Sequence, residues 1–447
     1  MNRTATISRR GFLEATAAIS CTALGPARSL LAADGARPRV AAIVTEFTHR
    51  SHAHVILENF LEPYYFNGKL TDPGMDVVSM YVDQFPERDM ARDVAKQYKI
   101  SIYPTIAEAV KCGGRELAVD GVLSIGEHGD YPRTERGQMM YPRKRFFDEI
   151  AAVFRASGRV VPLFNDKHLS YRWDWAAEMM DVVERLKIPF MAGSSVPLAE
   201  RRPPLELPAD CQIEEAVSIH GGSLEGYDFH GLEVLQSLVE ARRGGETGVS
   251  QIQMLEGEAV WQAADEGRWT YALAEAAMGA ESGRTTGHLR DFVEPGGGSP
   301  RPAHAILIEY RDGLRATVLR IGASSTRWNF ACRLAGETEL RATSFYVGPW
   351  QNRNLFKALS HAIQTHIREG AAPYPVARTH LVTGMVAAAM DSRFEGHKRL
   401  STPHLEIAYA SRDFRGMREM GESWKLITED QPEPAGINPG GPRPPGG

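Results

Sequence analysis

The sequence predicts an N-terminal α/β domain built on a parallel sheet, followed by an α+β domain with a largely antiparallel open sheet. From residue 39 to residue 198, short apolar strands alternate with helical stretches. A segment with four prolines, residues 196–208, interrupts this alternation. Segments rich in β-branched residues and bounded by turns dominate after it. We therefore place the two domains at residues 34–197 and 198–410.

The composition is that of an ordinary globular protein. The chain has 447 residues, of which 43% are hydrophobic and 24% charged, and its net charge is −5. This charge argues against nucleic acid as a partner, because such binders need a basic surface. Cys112, Cys211 and Cys332 lie far apart in the sequence, which indicates neither a disulfide framework nor a zinc motif.

The first residues predict a twin-arginine export signal over residues 1–33. Arg9 and Arg10 precede a modest apolar stretch, and small residues follow it up to Ala33. The apolar stretch is short and contains Glu14, so no stable membrane span is expected. We therefore expect a periplasmic or otherwise exported protein. Twin-arginine export carries folded proteins, which raises the expectation of a bound cofactor.

Hydrophobic periodicity defines the elements of the first domain. Strands are predicted at residues 40–44, 76–82, 119–126, 159–165 and 188–195, and helices at residues 52–61, 89–98, 105–112, 146–157 and 173–186. Thr105 is the predicted N-cap of the third helix. Strands that alternate with helices form βαβ units, whose parallel sheet is covered on both faces.

The second domain mixes strands and longer helices. Strands are predicted at residues 214–222, 249–257, 304–313, 314–322 and 339–348, and helices at residues 232–243, 269–278, 355–369 and 380–393. Residues 411–447 form a C-terminal tail. Its end, residues 429–447, is rich in proline and glycine and is predicted to be disordered.

Ionisable residues follow each of the first four strands of the parallel sheet. Residues 46–50 follow the first strand, Asp83 the second, residues 127–131 the third and residues 165–168 the fourth. Ligands bind such sheets at the carboxyl ends of the strands. The sequence therefore predicts a functional cleft at that edge.

The segment "SGRVVPLFNDKH", residues 157–168, carries the most informative motif. It resembles the G-[KR]-x-V-x-x-E-K-P motif of the glucose–fructose oxidoreductase/inositol dehydrogenase (Gfo/Idh/MocA) family, with aspartate for glutamate and histidine for proline. The closing helices, residues 354–409, are also similar to those of the family. The resemblance implies a Rossmann-like first domain and places Lys167 as an active-site cation beside nicotinamide and substrate. Asp166, its neighbour in the motif, is grouped with the cofactor-binding residues.

The segment "SIHGGSLEGYDFHGLEVL", residues 218–235, resembles the place where the family's second domain supplies a catalytic histidine, although its spacing differs. His230 is the predicted acid/base, because histidine titrates near neutral pH. Asp228 would orient or polarise it, and His220 is a second candidate for substrate contact. The alternative, an N-cap aspartate beside a packed histidine, stays open.

The resemblance also implies NAD or NADP as cofactor, but the expected phosphate loop is missing. The turn after the first strand has no glycine, whereas a dinucleotide-binding turn carries G-x-G-x-x-G. Thr48, Arg50 and Ser51 are the predicted substitutes, with Arg50 pairing a phosphate and Ser51 alternatively capping the helix. Glu46 adds an unfavourable negative charge there.

Three further residues complete the predicted site. Asp83 is expected to hold the adenine ribose, as an acidic residue does at this position in dinucleotide-binding folds. The resemblance implies that His128 lies near the nicotinamide ribose. Tyr131 belongs to an insertion relative to the family and is predicted to cover the substrate.

The favoured hypothesis is an exported oxidoreductase that transfers hydride between a sugar or sugar derivative and a nicotinamide cofactor. The missing glycines favour a first alternative, a cofactor-free sugar-binding or polysaccharide-processing protein on the same scaffold. A second alternative is a metal-dependent lyase or isomerase that uses the histidine-rich rim around residues 49–54. The rim has no known ligand spacing, so no metal site is predicted. The family is often oligomeric, which makes a homo-oligomer possible.

Overall fold

The computed structural model describes residues 36–208, 210–282, 289–292 and 302–438. The predicted export signal lies outside these residues. Within the described ranges, no helix has both the length and the hydropathy needed to cross a membrane.

The first domain alternates strands and helices as the sequence predicts. Its elements are β1 (Arg39–Val44), α1 (His52–Leu61), β2 (Tyr64–Phe66), β3 (Lys69–Thr71), β4 (Asp76–Val82), α2 (Ala91–Tyr98), β5 (Ser101–Ile102), α3 (Ile106–Val110), β6 (Gly121–Ile125), α4 (Arg143–Ser157), β7 (Leu163–Asp166), α5 (Trp173–Leu186) and β8 (Phe190–Gly193). Thr105 caps α3 as predicted, accepting a hydrogen bond from the backbone N–H of Glu108. β2 and β3 form a small hairpin that periodicity does not reveal.

Six of these strands form one parallel sheet in the order β5-β4-β1-β6-β7-β8. The chain first adds strands on one side of β1 and then, from β6 onward, on the other. The point of reversal lies between β1 and β6, and in such sheets it opens a crevice at the carboxyl ends of those strands. Thr45 joins the two ends, because its Oγ1 donates to the backbone oxygen of Glu127 over 2.6 Å.

The second domain contains β9 (Glu200–Arg202), β10 (Ile213–His220), α6 (Gly226–Val239), β11 (Val249–Glu256), α7 (Glu258–Asp265), α8 (Tyr271–Ser282), β12 (His304–Tyr310), β13 (Arg315–Arg320), β14 (Trp328–Leu334), β15 (Arg341–Tyr346), α9 (Asn352–Glu369), α10 (Val376–Phe394) and β16 (Leu400–Ser401). Its eight strands have the order β16-β11-β12-β13-β10-β14-β15-β9. Among the strands that the structure describes in this sheet, only β10 and β13 pair in parallel, so the predicted fold class is confirmed.

Helices join the two domains and cover both faces of the second sheet. α9 packs against α1, and α10 packs against α6 and β11 on one side and against β8 and α5 on the other. One continuous apolar core therefore includes Val44 of the first sheet and Phe229 of α6. On the opposite face of the second sheet, α7 and α8 bury a separate core that includes Trp269, which is 1% exposed.

Two elements of the second domain differ from the sequence-based boundaries. α6 begins at Gly226, six residues before the predicted start, because a capping box formed by Glu225 and Asp228 initiates the helix there. β14 was not predicted. Its sequence, "WNFACRL", does not alternate, because six of its seven residues are buried between β10 and β15.

The C-terminal stretch that is predicted to be disordered is described over residues 429–438, where most residues are exposed but several contact the rest of the chain. Glu433 forms ion pairs with Arg50, at 2.7 Å, and with Arg353, at 3.0 Å. Ile437 is fully buried. The segment therefore lies against the beginning of α1.

Candidate active site at the switch point

A pocket of about 280 Å³ opens between the two domains, beside the carboxyl ends of β1, β6 and β7. Its lining includes Arg50, His52, Glu127, His128 and Lys167 from the first domain, and Tyr227, His230, Trp328 and Asn352 from the second. The predicted cleft at this edge of the sheet thus contains ionisable side chains from both domains.

Lys167 is held by a buried carboxylate. It follows β7 with a left-handed backbone (φ 62°), and its Nζ donates to Glu127 Oε1 over 2.8 Å. The other oxygen of Glu127 accepts from Arg143, which is 1% exposed. Glu127 therefore fixes the position of the ammonium group beside the pocket.

The charge of Glu127 is maintained by its two partners. Burial alone would raise the pKa of this carboxyl. The positive charges of Lys167 and Arg143 outweigh that effect and hold the pKa well below its usual value. The pocket wall thus carries a carboxylate between two cations at neutral pH.

His230 lies on α6 and lines the same pocket. Its Nδ1 is 2.6 Å from the hydroxyl oxygen of Ser194, which also accepts a hydrogen bond from the backbone N–H of Val196 over 3.0 Å. Burial, followed by the charge of Lys167, holds the pKa of His230 well below its usual value. The imidazole is therefore neutral at pH 7, which is the form that can accept a proton.

Asp228 and His220 lie behind the pocket rather than in it, which corrects the placement expected from the sequence. Asp228 Oδ1 is 3.0 Å from His220 Nε2 and 2.5 Å from His304 Nε2, while Oδ2 accepts from the backbone N–H of Glu225. All three side chains of this triad are buried. Asp228 is therefore the third residue of α6, where it completes the capping box and joins two histidines, whereas the N-cap itself is Glu225 and not the aspartate that the alternative interpretation named.

The potential ligand atoms of this triad all lie within 4.8 Å of one another, close enough to share a metal ion. Among the residues that the structure describes, it is the group that meets this criterion. However, His220 Nδ1 accepts from the backbone N–H of Gly222 over 3.3 Å. In a neutral imidazole the proton is then on Nε2, where it donates to Asp228. Both histidines thus bond to Asp228 through Nε2, while His304 Nδ1 is buried and has no hydrogen-bond partner among the described residues.

Thr48 and Ser51 hydrogen-bond within their own turn. Ser51 is the N-cap of α1, and its Oγ accepts from the backbone N–H groups of Thr48 and His54. Thr48 Oγ1 donates to Glu46 over 2.8 Å. These contacts use the hydroxyls and N–H groups that a phosphate would otherwise meet at a helix N-terminus.

Arg50 already holds an anion. Its Nη2 donates to Glu433 over 2.7 Å, and its backbone N–H donates to His54 Nδ1 over 2.8 Å. The guanidinium thus binds a carboxylate of the C-terminal segment beside the beginning of α1. That carboxylate shows that the position accepts an anionic group.

Asp83 follows β4 as predicted, but side chains of the same chain surround it. It accepts from Tyr81, at 2.5 Å, from Tyr131, at 2.6 Å, and from Arg145. Burial opposes ionisation, but the hydrogen bonds from Tyr131 and Tyr81 outweigh it and lower the pKa of Asp83. Tyr131 is therefore hydrogen-bonded to Asp83 and does not line the pocket, which corrects the prediction that it covers the substrate.

Asp166 and His128 organise the floor of the pocket through His52. Asp166 Oδ2 is 2.6 Å from His52 Nδ1, and His128 Nδ1 accepts from the backbone N–H of His52 over 3.4 Å. Burial, followed by the charge of His52, lowers the pKa of His128 to about 4. His128 thus lines the pocket, whereas Asp166 acts on the pocket through His52.

Sequence reasoning selected Lys167 and His230 but did not select their partners. Glu127 lies in the cluster that follows the third strand, so its position was visible although its role was not. Ser194 directly follows β8, at the same edge of the sheet. The position of Ser194 at a strand end is therefore visible in the sequence. The contact between Arg50 and Glu433 has no such signal.

Glu233 lies one turn after His230 and is fully buried. Its Oε1 accepts from Thr379 over 2.8 Å. Burial raises its pKa from 4.5 to about 7, against the opposing charge of Arg378. Because the folded state binds the proton of Glu233 more tightly than the unfolded state does, this carboxyl stabilises the fold in full below pH 4.5. The contribution is lost as the pH rises to about 7.

We therefore expect Glu233→Gln, which stays neutral, to gain stability relative to the wild type as the pH rises. Between pH 4.5 and 8 the difference in free energy of unfolding should change by roughly 3 kcal/mol in favour of the variant. Urea unfolding at several pH values measures it. Glu178→Gln on the exposed face of α5 is the control. A difference that is independent of pH would contradict the expectation.

No protein-family model and no curated protein sequence matches the chain. Among solved structures, it is similar to GenD2 from gentamicin A biosynthesis in complex with NAD, at 12% identity and a TM-score of 0.51 over 82% of this chain and 96% of that one. It is also similar to myo-inositol dehydrogenase from Lactobacillus casei in complex with NAD(H) and myo-inositol, at 13% identity and a TM-score of 0.51 over 85% and 99%. At these identities the likeness shows a common two-domain fold.

Proposed function

We propose that the protein is a Gfo/Idh/MocA-type oxidoreductase that transfers hydride between a polyol or sugar and a nicotinamide dinucleotide. One observation carries the proposal: Lys167 and neutral His230 line one pocket at the switch point of the first sheet. The two similar solved structures, which contain NAD or NAD(H), support it through their fold.

Lys167 and His230 have different roles toward a substrate hydroxyl. Lys167, held by Glu127, donates a hydrogen bond to the hydroxyl oxygen and stabilises the negative charge that develops on it. His230 accepts the hydroxyl proton through Nε2, because Nδ1 is already hydrogen-bonded to the hydroxyl of Ser194. The nicotinamide supplies the hydride acceptor when it is bound. In the reverse direction His230 returns the proton.

The pocket would receive the nicotinamide end of the cofactor, with His128 beside it. At α1, Arg50 is the residue that would pair with a phosphate. Its present partner, Glu433, is an anion on the same guanidinium, so the phosphate would replace a carboxylate. Asp83 would meet the ribose after Tyr131 releases it.

Titration calorimetry of NAD⁺, NADH, NADP⁺ and NADPH against the folded protein tests the proposal. It is followed by absorbance assays near 340 nm with a panel of polyols and aldoses, the absorbance reporting the reduced nicotinamide. We expect one dinucleotide pair to bind and at least one polyol or sugar to be oxidised. If no dinucleotide binds either the full chain or its Glu433→Gln variant, the proposal is wrong.

A second candidate function is supported by the turn before α1. There the N–H groups of Thr48 and Arg50 are used by Ser51 and His54. A site that needs no pyrophosphate would be built in this way. The candidate is a cofactor-free protein that binds or processes a sugar with His230 and Lys167. Sugar binding without dinucleotide binding in the same calorimetric series would favour it.

The contact between Glu433 and Arg50 leads to a separate expectation. Because the carboxylate competes with a phosphate for one guanidinium, Glu433→Gln should tighten dinucleotide binding by about tenfold. Calorimetry on both proteins measures the ratio. Glu422→Gln, which removes a surface partner of Lys425 on the same C-terminal segment, is the control. Unchanged or weaker binding by Glu433→Gln would exclude the competition.

We further propose that the protein is exported by the twin-arginine pathway, on the basis of Arg9 and Arg10. Replacing both with lysine should retain the protein in the cytoplasm, and fractionation followed by immunoblotting measures this. The proposal would be refuted by unchanged export of the double variant. A homo-oligomer, expected from the family resemblance, is tested by light scattering.

A further inference from the structure

A second cavity continues from the pocket along the second domain. It encloses about 590 Å³, more than twice the volume of the pocket. The two cavities share Thr326, Val347 and Gln351 as lining residues, so they form one cleft. The pocket alone, at about 280 Å³, is slightly smaller than the range of about 300–1,000 Å³ that small-ligand sites have, and the second cavity extends it.

Two half-buried aromatic residues, Tyr346 and Trp350, line the second cavity. Trp350 Nε1 donates to the backbone oxygen of Gln431 over 3.2 Å, and Tyr346 OH donates to Glu429 over 2.9 Å. The guanidinium of Arg202 stacks on Tyr346, 3.6 Å from the ring centroid. Large rings fixed in this way bind a ligand with little loss of conformational entropy.

The backbone at this wall is strained. Trp350 and Gln351 both have left-handed φ angles, of 61° and 53°, although neither is glycine. Each such residue costs on the order of 1–3 kcal/mol, and strain of this kind concentrates at ligand sites. Here it concerns Trp350, which lines the second cavity, and Gln351, which lines both cavities.

The charged groups of the second cavity have partners within the chain. Glu281 accepts from Arg327, at 2.8 Å, and from Asn329, at 2.7 Å. Arg202 pairs with Glu200 at 2.8 Å. A phosphorylated or strongly acidic ligand would have to displace these pairs, whereas the hydroxyls of a neutral sugar can hydrogen-bond to groups that remain paired. The lining therefore suits a neutral polyhydroxylated ligand.

We propose that this second cavity is a subsite for the further sugar units of a neutral oligosaccharide whose terminal unit occupies the pocket. The inference rests on the proposed function, since it extends the substrate of the same site. A sugar ring presents C–H groups on its face, which pack on the indole of Trp350, and hydroxyls at its rim, which meet Asn329, Glu281 and Arg202.

Calorimetry with pairs of probes tests the subsite: glucose against maltotetraose and cellotetraose, N-acetylglucosamine against chitotetraose, and xylose against xylotetraose. At least one tetrasaccharide should bind about tenfold more tightly than its monosaccharide. Trp350→Gly, which suits the left-handed backbone, and Tyr346→Ala should each remove this preference and leave monosaccharide binding within twofold. Phe394→Ala, an exposed aromatic outside the cleft, should change neither.

The outcomes separate the subsite from the proposed reaction. If no tetrasaccharide binds more tightly than its monosaccharide, or if Trp350→Gly and Tyr346→Ala weaken both equally, the subsite is wrong. A tetrasaccharide preference in a protein that binds no dinucleotide would support the subsite and reject the oxidoreductase. Dinucleotide binding with no length preference would do the reverse. Thermal unfolding of each variant verifies that it is folded.

Discussion

Replacing His230 with asparagine is expected to lower kcat/KM by about 10²–10⁴-fold, the usual contribution of general acid–base catalysis. His230 is the neutral imidazole that lines the pocket, and asparagine cannot accept the hydroxyl proton. Steady-state assays with the dinucleotide and the substrate found in the panel measure the effect. His397→Asn, at a surface histidine with a left-handed backbone, is the matched control.

The pH profile gives this expectation a second readout. Because burial and Lys167 hold the pKa of His230 well below 6.5, its basic form persists as the pH falls to 6.5. The wild-type kcat/KM should therefore stay level from about pH 8 to 6.5 and decline only below that value. A reduction of less than tenfold in His230→Asn, or an acid limb that begins above pH 6.5, would remove His230 from the role of base.

Glu127→Gln is expected to cost about 3–5 kcal/mol of folding free energy, because it leaves Lys167 and Arg143 buried beside a neutral amide. Urea unfolding at pH 7 measures the loss. Asp148→Asn, which breaks a surface pair with Lys144, should cost less than about 1 kcal/mol. Combining Glu127→Gln with Lys167→Met should recover part of the stability, because the double variant buries one unpaired charge fewer.

The cost of Glu127→Gln should also depend on pH in a defined direction. A carboxyl whose pKa is depressed in the folded state stabilises the fold above its unfolded pKa, near 4.5, and loses this contribution as the pH falls below that value. The difference between wild type and Glu127→Gln should therefore shrink below pH 4.5. A loss under about 1 kcal/mol at pH 7, or a difference that grows in acid, would show that the carboxylate does not stabilise the pair.

Local patterns alone indicated most of the first domain. The boundaries of α1, β4 and α5 equal those predicted, because each element is bounded by a polar or turn segment and has a clear apolar period. The second domain was harder to predict. β14 is buried on both faces and shows no alternation, and α6 begins in a turn that only the capping box of Glu225 and Asp228 makes helical.

The candidate site divides in the same way. The sequence by itself determined the fold class, the edge of the sheet that bears the site, and Lys167 and His230 as its candidates. The succession of strands and helices along the chain and the position of a motif within it can be read directly from the sequence. Only the tertiary structure decided their partners. Glu127 with Lys167, Ser194 with His230, and Glu433 with Arg50 are separated by 36 to 383 positions. Contacts over such separations depend on how the two domains and the C-terminal segment pack. The hydrophobic periodicity of the sequence reflects only local secondary structure and contains no information about that packing.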